Sequence, residues 1–114
     1  MADVLFVYRG GERPTGSPEQ MQQTMQKWVS WMQKLAEKGA LKERGAPLEA
    51  TGKTLRGRGK TITDGPYAEA KDVVNGYTIV TAKSLDDATE FARGCPHFDV
   101  DGIVEVRPIA DMNM

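Results

Sequence analysis

At 114 residues, 39% apolar and 27% charged, the chain has the make-up of one globular domain with a modest core and needs no covalent staples. Its 15 basic and 16 acidic side chains give a formal net charge of -1, which excludes any global attraction to nucleic acid or to an anionic membrane surface. One cysteine, Cys95, excludes an internal disulfide, and no stretch nears the roughly 20 apolar residues that span a bilayer.

In chain order, the run Val4, Leu5, Phe6, Val7 and Tyr8 is apolar at every position and predicts a strand buried on both faces. It lies between Asp3 and Arg9, too short and without the basic flank of a signal sequence, so cytoplasmic localisation is expected. A loop rich in glycine and proline follows over 9–16. Ser17, Pro18, Glu19 and Gln20 then form a helix start: Ser17 caps, Pro18 sits where its missing N–H costs nothing, and Gln20 completes the reciprocal capping pair. The helix is expected over 18–38, with Met21, Met25, Trp28, Met32 and Leu35 on one face beside Val29 and Ala36, Trp31 at the edge of that stripe, and Gly39 as the stop. Trp31 is thereby placed to touch a partner chain or line a pocket rim.

Residues 41–49 read as a short, irregular strand near a sheet edge, broken by Gly45 and Pro47. Two short alternating runs, 53–56 and 60–63, flank a glycine-containing loop and predict a β-hairpin. After a loop with one helical turn over 67–70, Asn75 and Gly76 supply a turn or bulge before a strand over 77–82. Ser84 to Asp87 start a second helix, with Leu85, Ala88, Phe91 and Ala92 as its buried face and Gly94 and Pro96 as its end. A last strand is expected over 103–107, closed by Pro108.

This order predicts an α+β fold, a ferredoxin-like sandwich in which two helices cover one face of an antiparallel sheet. The uncovered face is the physical difficulty. The first strand is apolar throughout, and Tyr77, Ile79 and Val80 make the strand over 77–82 nearly so, which leaves more apolar surface than a lone chain usually exposes. Two copies burying their open faces together, as a symmetric homodimer, resolve it.

The stretch Thr63-Asp64-Gly65-Pro66-Tyr67-Ala68-Glu69-Ala70-Lys71, continuing into Asn75-Gly76-Tyr77-Thr78-Ile79-Val80, closely resembles the signature of the YCII-related family, in its DGPF branch. Tyr67 stands where that branch usually has phenylalanine. The first strand, the helix opening Ser17-Pro18-Glu19 and the closing Val104-Glu105-Val106-Arg107-Pro108 extend the likeness over nearly the whole chain, as one domain over 1–114. The resemblance implies a dimeric α/β barrel. YCII-related proteins proper carry a His and Asp pair proposed as catalytic, with the histidine near the end of the first strand. Here Arg9-Gly10-Gly11-Glu12 occupies that region, and the role does not pass to His97, the only histidine.

Two constellations carry candidate chemistry. With Val104 and Val106 facing the helices, alternation turns Glu105 and Arg107 toward the space between subunits. They would either set the dimer register as an internal pair or form a polar cleft in which Arg107 grips an anionic substrate; Arg9 or Tyr8 joins them, since alternation sends one of the two to that side. In the second constellation, Asp64 or Glu69 would serve as general base once desolvated, with Tyr67 as donor to a developing oxyanion. The plainer reading has Asp64 capping the turn at Gly65 and Pro66, Tyr67 plugging the barrel end, and Glu69 and Lys71 solvated.

Cys95 and His97 supply at most two soft ligands, and the run from Asp99 to Gly102 lacks the later ligands of a calcium loop, so no metal and no cofactor are expected. His97 reads as a loop residue. The basic run Lys53, Arg56, Arg58 and Lys60 has no aromatic residues for stacking and reads as a solvated hairpin edge rather than a nucleic-acid reader. Two functions stay open. One is a small-molecule enzyme or binding protein for an anionic organic ligand at the dimer cleft. The other, implied by relatives often encoded beside or fused to alternative sigma factors, is a non-catalytic regulatory or interaction module, marked by an exposed apolar patch that includes Trp31.

Overall fold

A computed structural model describes residues 1–12, 16–65 and 70–112. The elements are β1 (Ala2–Gly10), α1 (Pro18–Glu37), β2 (Leu41–Glu43), β3 (Lys53–Arg56), β4 (Thr61–Asp64), β5 (Val74–Ala82), α2 (Leu85–Ala92) and β6 (Gly102–Pro108). An antiparallel sheet in the order β2-β5-β1-β6 is the ferredoxin-like arrangement, while β3 and β4 form a two-stranded sheet of their own. The predicted hairpin therefore stands outside the main sheet. Its turn takes Lys60, assigned to a strand by the pattern, at φ 53°.

Helix α1 begins where its cap was expected. The Gln20 backbone N–H donates to Ser17 Oγ at 3.2 Å, and the Ser17 N–H donates to Gln20 Oε1 at 3.0 Å. Its buried face differs from the predicted stripe. Trp31, Met32 and Leu35 are buried, whereas Met21, Met25 and Val29 are exposed. The reason is where the helix crosses the sheet: Trp28 meets Tyr8 edge-on, with ring centroids 5.0 Å apart, and upstream of it α1 finds little to pack on. Trp31, expected at a rim, instead stacks on Phe6 at 6.1 Å and donates its indole N–H to the Phe91 carbonyl at 3.2 Å. On α2, Ala88 and Ala92 are buried, while Leu85, also expected inside, is exposed.

Strand alternation sorts the sheet into two unlike faces. Val4, Phe6, Tyr8, Thr78, Val80 and Ala82 point to the helices and are buried. Val104 and Val106, opposite Tyr8 and Phe6, pack against the same core. Leu5 and Val7 are only half-buried in the single chain, so its own helices cover one face of β1 and leave open the other, which its apolar run also marks for burial. Strand β5 starts at Val74, ahead of the expected 77, and the irregularity foreseen at Asn75 and Gly76 appears as a register shift opposite Tyr8 and Arg9.

Polar groups inside this core are chained. The Tyr8 hydroxyl donates to Thr78 Oγ1 at 2.6 Å, and Thr78 in turn donates to the Arg44 carbonyl at 3.0 Å. Burial pushes the Cys95 thiol up to about 12, from an ordinary value of 9.0. Between those values the unfolded chain gives up a proton that the folded chain keeps. The thiol's contribution to stability is therefore full below pH 9 and is lost above it, by up to about 1.4 kcal/mol per pH unit. Urea midpoints at pH 8, 9 and 10 should decline less steeply for Cys95→Ala than for the parent chain; parallel declines would show that the thiol is not the titrating group.

Candidate functional site

On the uncovered face the strand registers build a regular lattice. Val74, Arg9 and Ile103 form one row across β5, β1 and β6; Tyr77, Val7 and Glu105 form the next; Ile79, Leu5 and Arg107 form a third. The centre is apolar, made by Leu5, Val7, Tyr77 and Ile79, and charged groups ring it. Lys42 pairs with Asp3, and holds that carboxyl below the usual carboxylate range, at one corner. The Tyr77 hydroxyl reaches Glu43 Oε1 at 3.4 Å along another edge.

Along β6 lies a cluster of two guanidinium groups and two carboxylates. Glu105 bridges the cations, with Oε1 at 3.2 Å from Arg9 Nε and Oε2 at 3.6 Å from Arg107 Nε. Arg9 Nη1 also lies 3.4 Å from Asp72. The Arg9–Glu105 contact is an ion pair by distance, yet the Nε–H is not aimed along it, so that buried nitrogen makes no hydrogen bond. The Arg107 side chain is 69% exposed, and its contact with Glu105 is made through Nε. The cluster is thus neutral as a whole but presents one largely exposed guanidinium edge beside an apolar floor. Such an edge is suited to a carboxylate or another planar anion.

Backbone contacts from distant parts of the chain hold the end of β1 that carries Arg9. His97 Nε2 lies 2.9 Å from the Arg9 carbonyl, and Asn75 Nδ2 donates to the Gly10 carbonyl at 2.8 Å. Since a carbonyl only accepts, His97 donates there through Nε2–H. His97, read from the sequence as a loop residue, is buried in a short 3-10 helix, Pro96–Val100, with its ring 5.8 Å from that of Tyr8. Gly102 makes room for it: a Cβ at that position would lie 2.2 Å from His97 Nε2.

Of the residues singled out from the sequence, Arg9, Glu105 and Arg107 come together. Tyr8 does not, because alternation turns it to the helix side, where burial also pushes its phenol above the usual range. Asp64 lies apart as well. Its side chain is 91% exposed and pairs with Lys53 at 2.6 Å across the hairpin, the reverse of the desolvated surroundings a general base requires. Tyr67 and Glu69 lie outside the described residues. Asp72 and His97 were missed in these roles; their partners are 63 and 88 residues away along the chain, and no local pattern signals such a meeting. Among the described residues no group of His, Cys, Asp and Glu could hold a metal ion, and no helix is long and apolar enough to cross a membrane. A shallow groove on the outer side of α1, lined by Gln22, Met25, Gln26, Val29, Ser30 and Gln33, holds no ionisable group and is remote from this chemistry.

The family model of the YCII-related domain matches residues 4–113. An uncharacterized protein of Rhizobium meliloti (strain 1021) is 34% identical over 98 residues, covering 82% of this chain and 79% of the relative. Among solved structures, 5-chloro-2-hydroxyhydroquinone dehydrochlorinase (TftG) from Burkholderia phenoliruptrix, in complex with 2,5-dihydroxybenzoquinone, aligns over 90% of each chain at 20% identity, with a TM-score of 0.41.

Proposed function

The chain belongs to the YCII-related domain family, and on that premise we propose that it binds a small anionic organic molecule in a cleft between two copies of itself. The observation that carries this reading is the largely exposed guanidinium of Arg107, set opposite Leu5 in the sheet and beside Glu105, which also pairs with Arg9. The anion meets Arg107, the apolar body of the ligand lies on Val7 and Tyr77, and Glu105 keeps the two guanidinium groups in place. A second copy supplies the opposite wall. The molecule is flat, with extents of 50 × 45 × 18 Å, as one helical layer on one sheet must be. Its open face has an apolar centre and a charged rim, the anatomy of a protein interface.

The test is a thermal-shift and calorimetric survey of small mono- and dicarboxylates and phenolates. The tightest ligand is expected to lose about 10- to 100-fold in affinity with Arg107→Ala, the worth of a charge-assisted hydrogen bond. Because Arg107 is largely exposed, the variant should melt within a few degrees of the parent chain. Undiminished binding by the variant would refute the reading.

The alternative, a non-catalytic interaction or regulatory module linked to transcription, loses the marker named for it, since Trp31 is buried. Its remaining support is the exposed strip of Met21, Met25 and Val29 on α1.

A further inference from the structure

Among the described residues, the β3–β4 hairpin is the pair of strands that the main sheet does not incorporate. Two strands alone in water are marginal unless something packs on them. Here Leu55 and Ile62 stand directly opposite each other across the ladder, on one face, and each is 60% exposed. The base of the hairpin is well tied: Lys53 pairs with Asp64, and Thr54 Oγ1 donates to the Gly65 carbonyl at 2.9 Å. The ladder is therefore built, while its apolar face stands largely exposed among the described residues.

Charge is divided just as unevenly. Of the chain's 15 basic and 16 acidic side chains, the hairpin holds four basic (Lys53, Arg56, Arg58 and Lys60) and one acidic (Asp64). The remainder is left acidic by four charges. A basic arm and an acidic body on the same chain are complementary between two copies of it. Leu55 and Ile62 are aliphatic, and no aromatic residue lies between Lys53 and Asp64, so the arm lacks the stacking groups of a single-strand nucleic-acid reader.

We propose that the hairpin is an arm that docks on a second copy of this chain, burying Leu55 and Ile62 there and carrying Arg58 and Lys60 to that copy's acidic body. The proposal rests on the self-association described above and goes beyond it by assigning the arm a share of the contact. In a two-fold pair each copy then gives and receives one arm.

Sedimentation equilibrium compares the parent chain, Leu55→Ser/Ile62→Ser and Leu5→Asp, and a sample of two differently isotope-labelled copies is read by filtered NOEs. The expected results are a dimer dissociation constant at least tenfold weaker for Leu55→Ser/Ile62→Ser, a parent dimer that weakens with added salt, and NOEs from the Leu55 and Ile62 methyl groups to amides of the other copy. If the double variant dimerises like the parent and no such NOEs appear, while Leu5→Asp is monomeric, the arm proposal fails and the sheet-face dimer stands. A parent chain that is monomeric at 100 µM overturns both. Binding of a labelled oligonucleotide that is lost with Arg58→Ala/Lys60→Ala, with dimerisation untouched, gives the arm to nucleic acid and overturns the proposal.

Discussion

Phe6→Ala is expected to destabilise the chain by about 3–5 kcal/mol, the usual loss for a fully buried phenylalanine. Phe6 has no exposed surface, stacks on Trp31 and lies between Val106 and Thr78 in the sheet. Removing the ring takes away its transfer free energy and leaves a cavity among neighbours fixed by strand pairing, which do not collapse into it. Against a total of about 5–15 kcal/mol, that is a large fraction. The urea midpoint should fall with little change in slope, and the melting temperature should drop by roughly 10–20 °C. A loss under about 1 kcal/mol would mean that the ring is not packed as described.

Its neighbour in the chain should behave in the opposite way. Leu5→Asp is expected to leave the fold intact and to shift the proposed dimer to monomer at tens of micromolar. Leu5 points to the uncovered face, where its cross-strand partner Arg107 would receive the new carboxylate favourably in a single copy. Between two copies the same carboxylate would lie at the apolar centre, too short to reach the rim, and each copy would bring one. Analytical ultracentrifugation reads the mass and far-UV circular dichroism the fold. A variant that stays dimeric would place the contact elsewhere, and a parent chain that sediments as a monomer would remove the second wall of the cleft. Two adjacent residues thus separate stability from assembly, because a strand turns successive side chains to opposite faces.

The chain's local punctuation is legible in the amino-acid order alone. Ser17, Pro18 and Gln20 start α1 through contacts within one turn, and alternation along β6 correctly parted Val104 and Val106 from Glu105 and Arg107. The same reasoning left Tyr8 and Arg9 as alternatives, and the register of β1 against β5 and β6 resolved them. Trp31 shows where periodicity stops. A stripe about 120° wide has two edges, and which edge turns inward depends on how the helix crosses the sheet.

What the amino-acid order determined by itself is short-range: where helices start, which side chains share a face of a strand, and the family signature those patterns compose. The tertiary structure alone decided which of those faces has a cover, that Asp72 and His97 meet the segment bearing Arg9, and that Asp64 stands apart on the hairpin. The physical reason is one of range. Caps and alternation are governed by sterics and hydrogen bonds over a few residues, whereas a contact spanning 63 or 88 residues exists only once strand register has been set by the burial of the whole core.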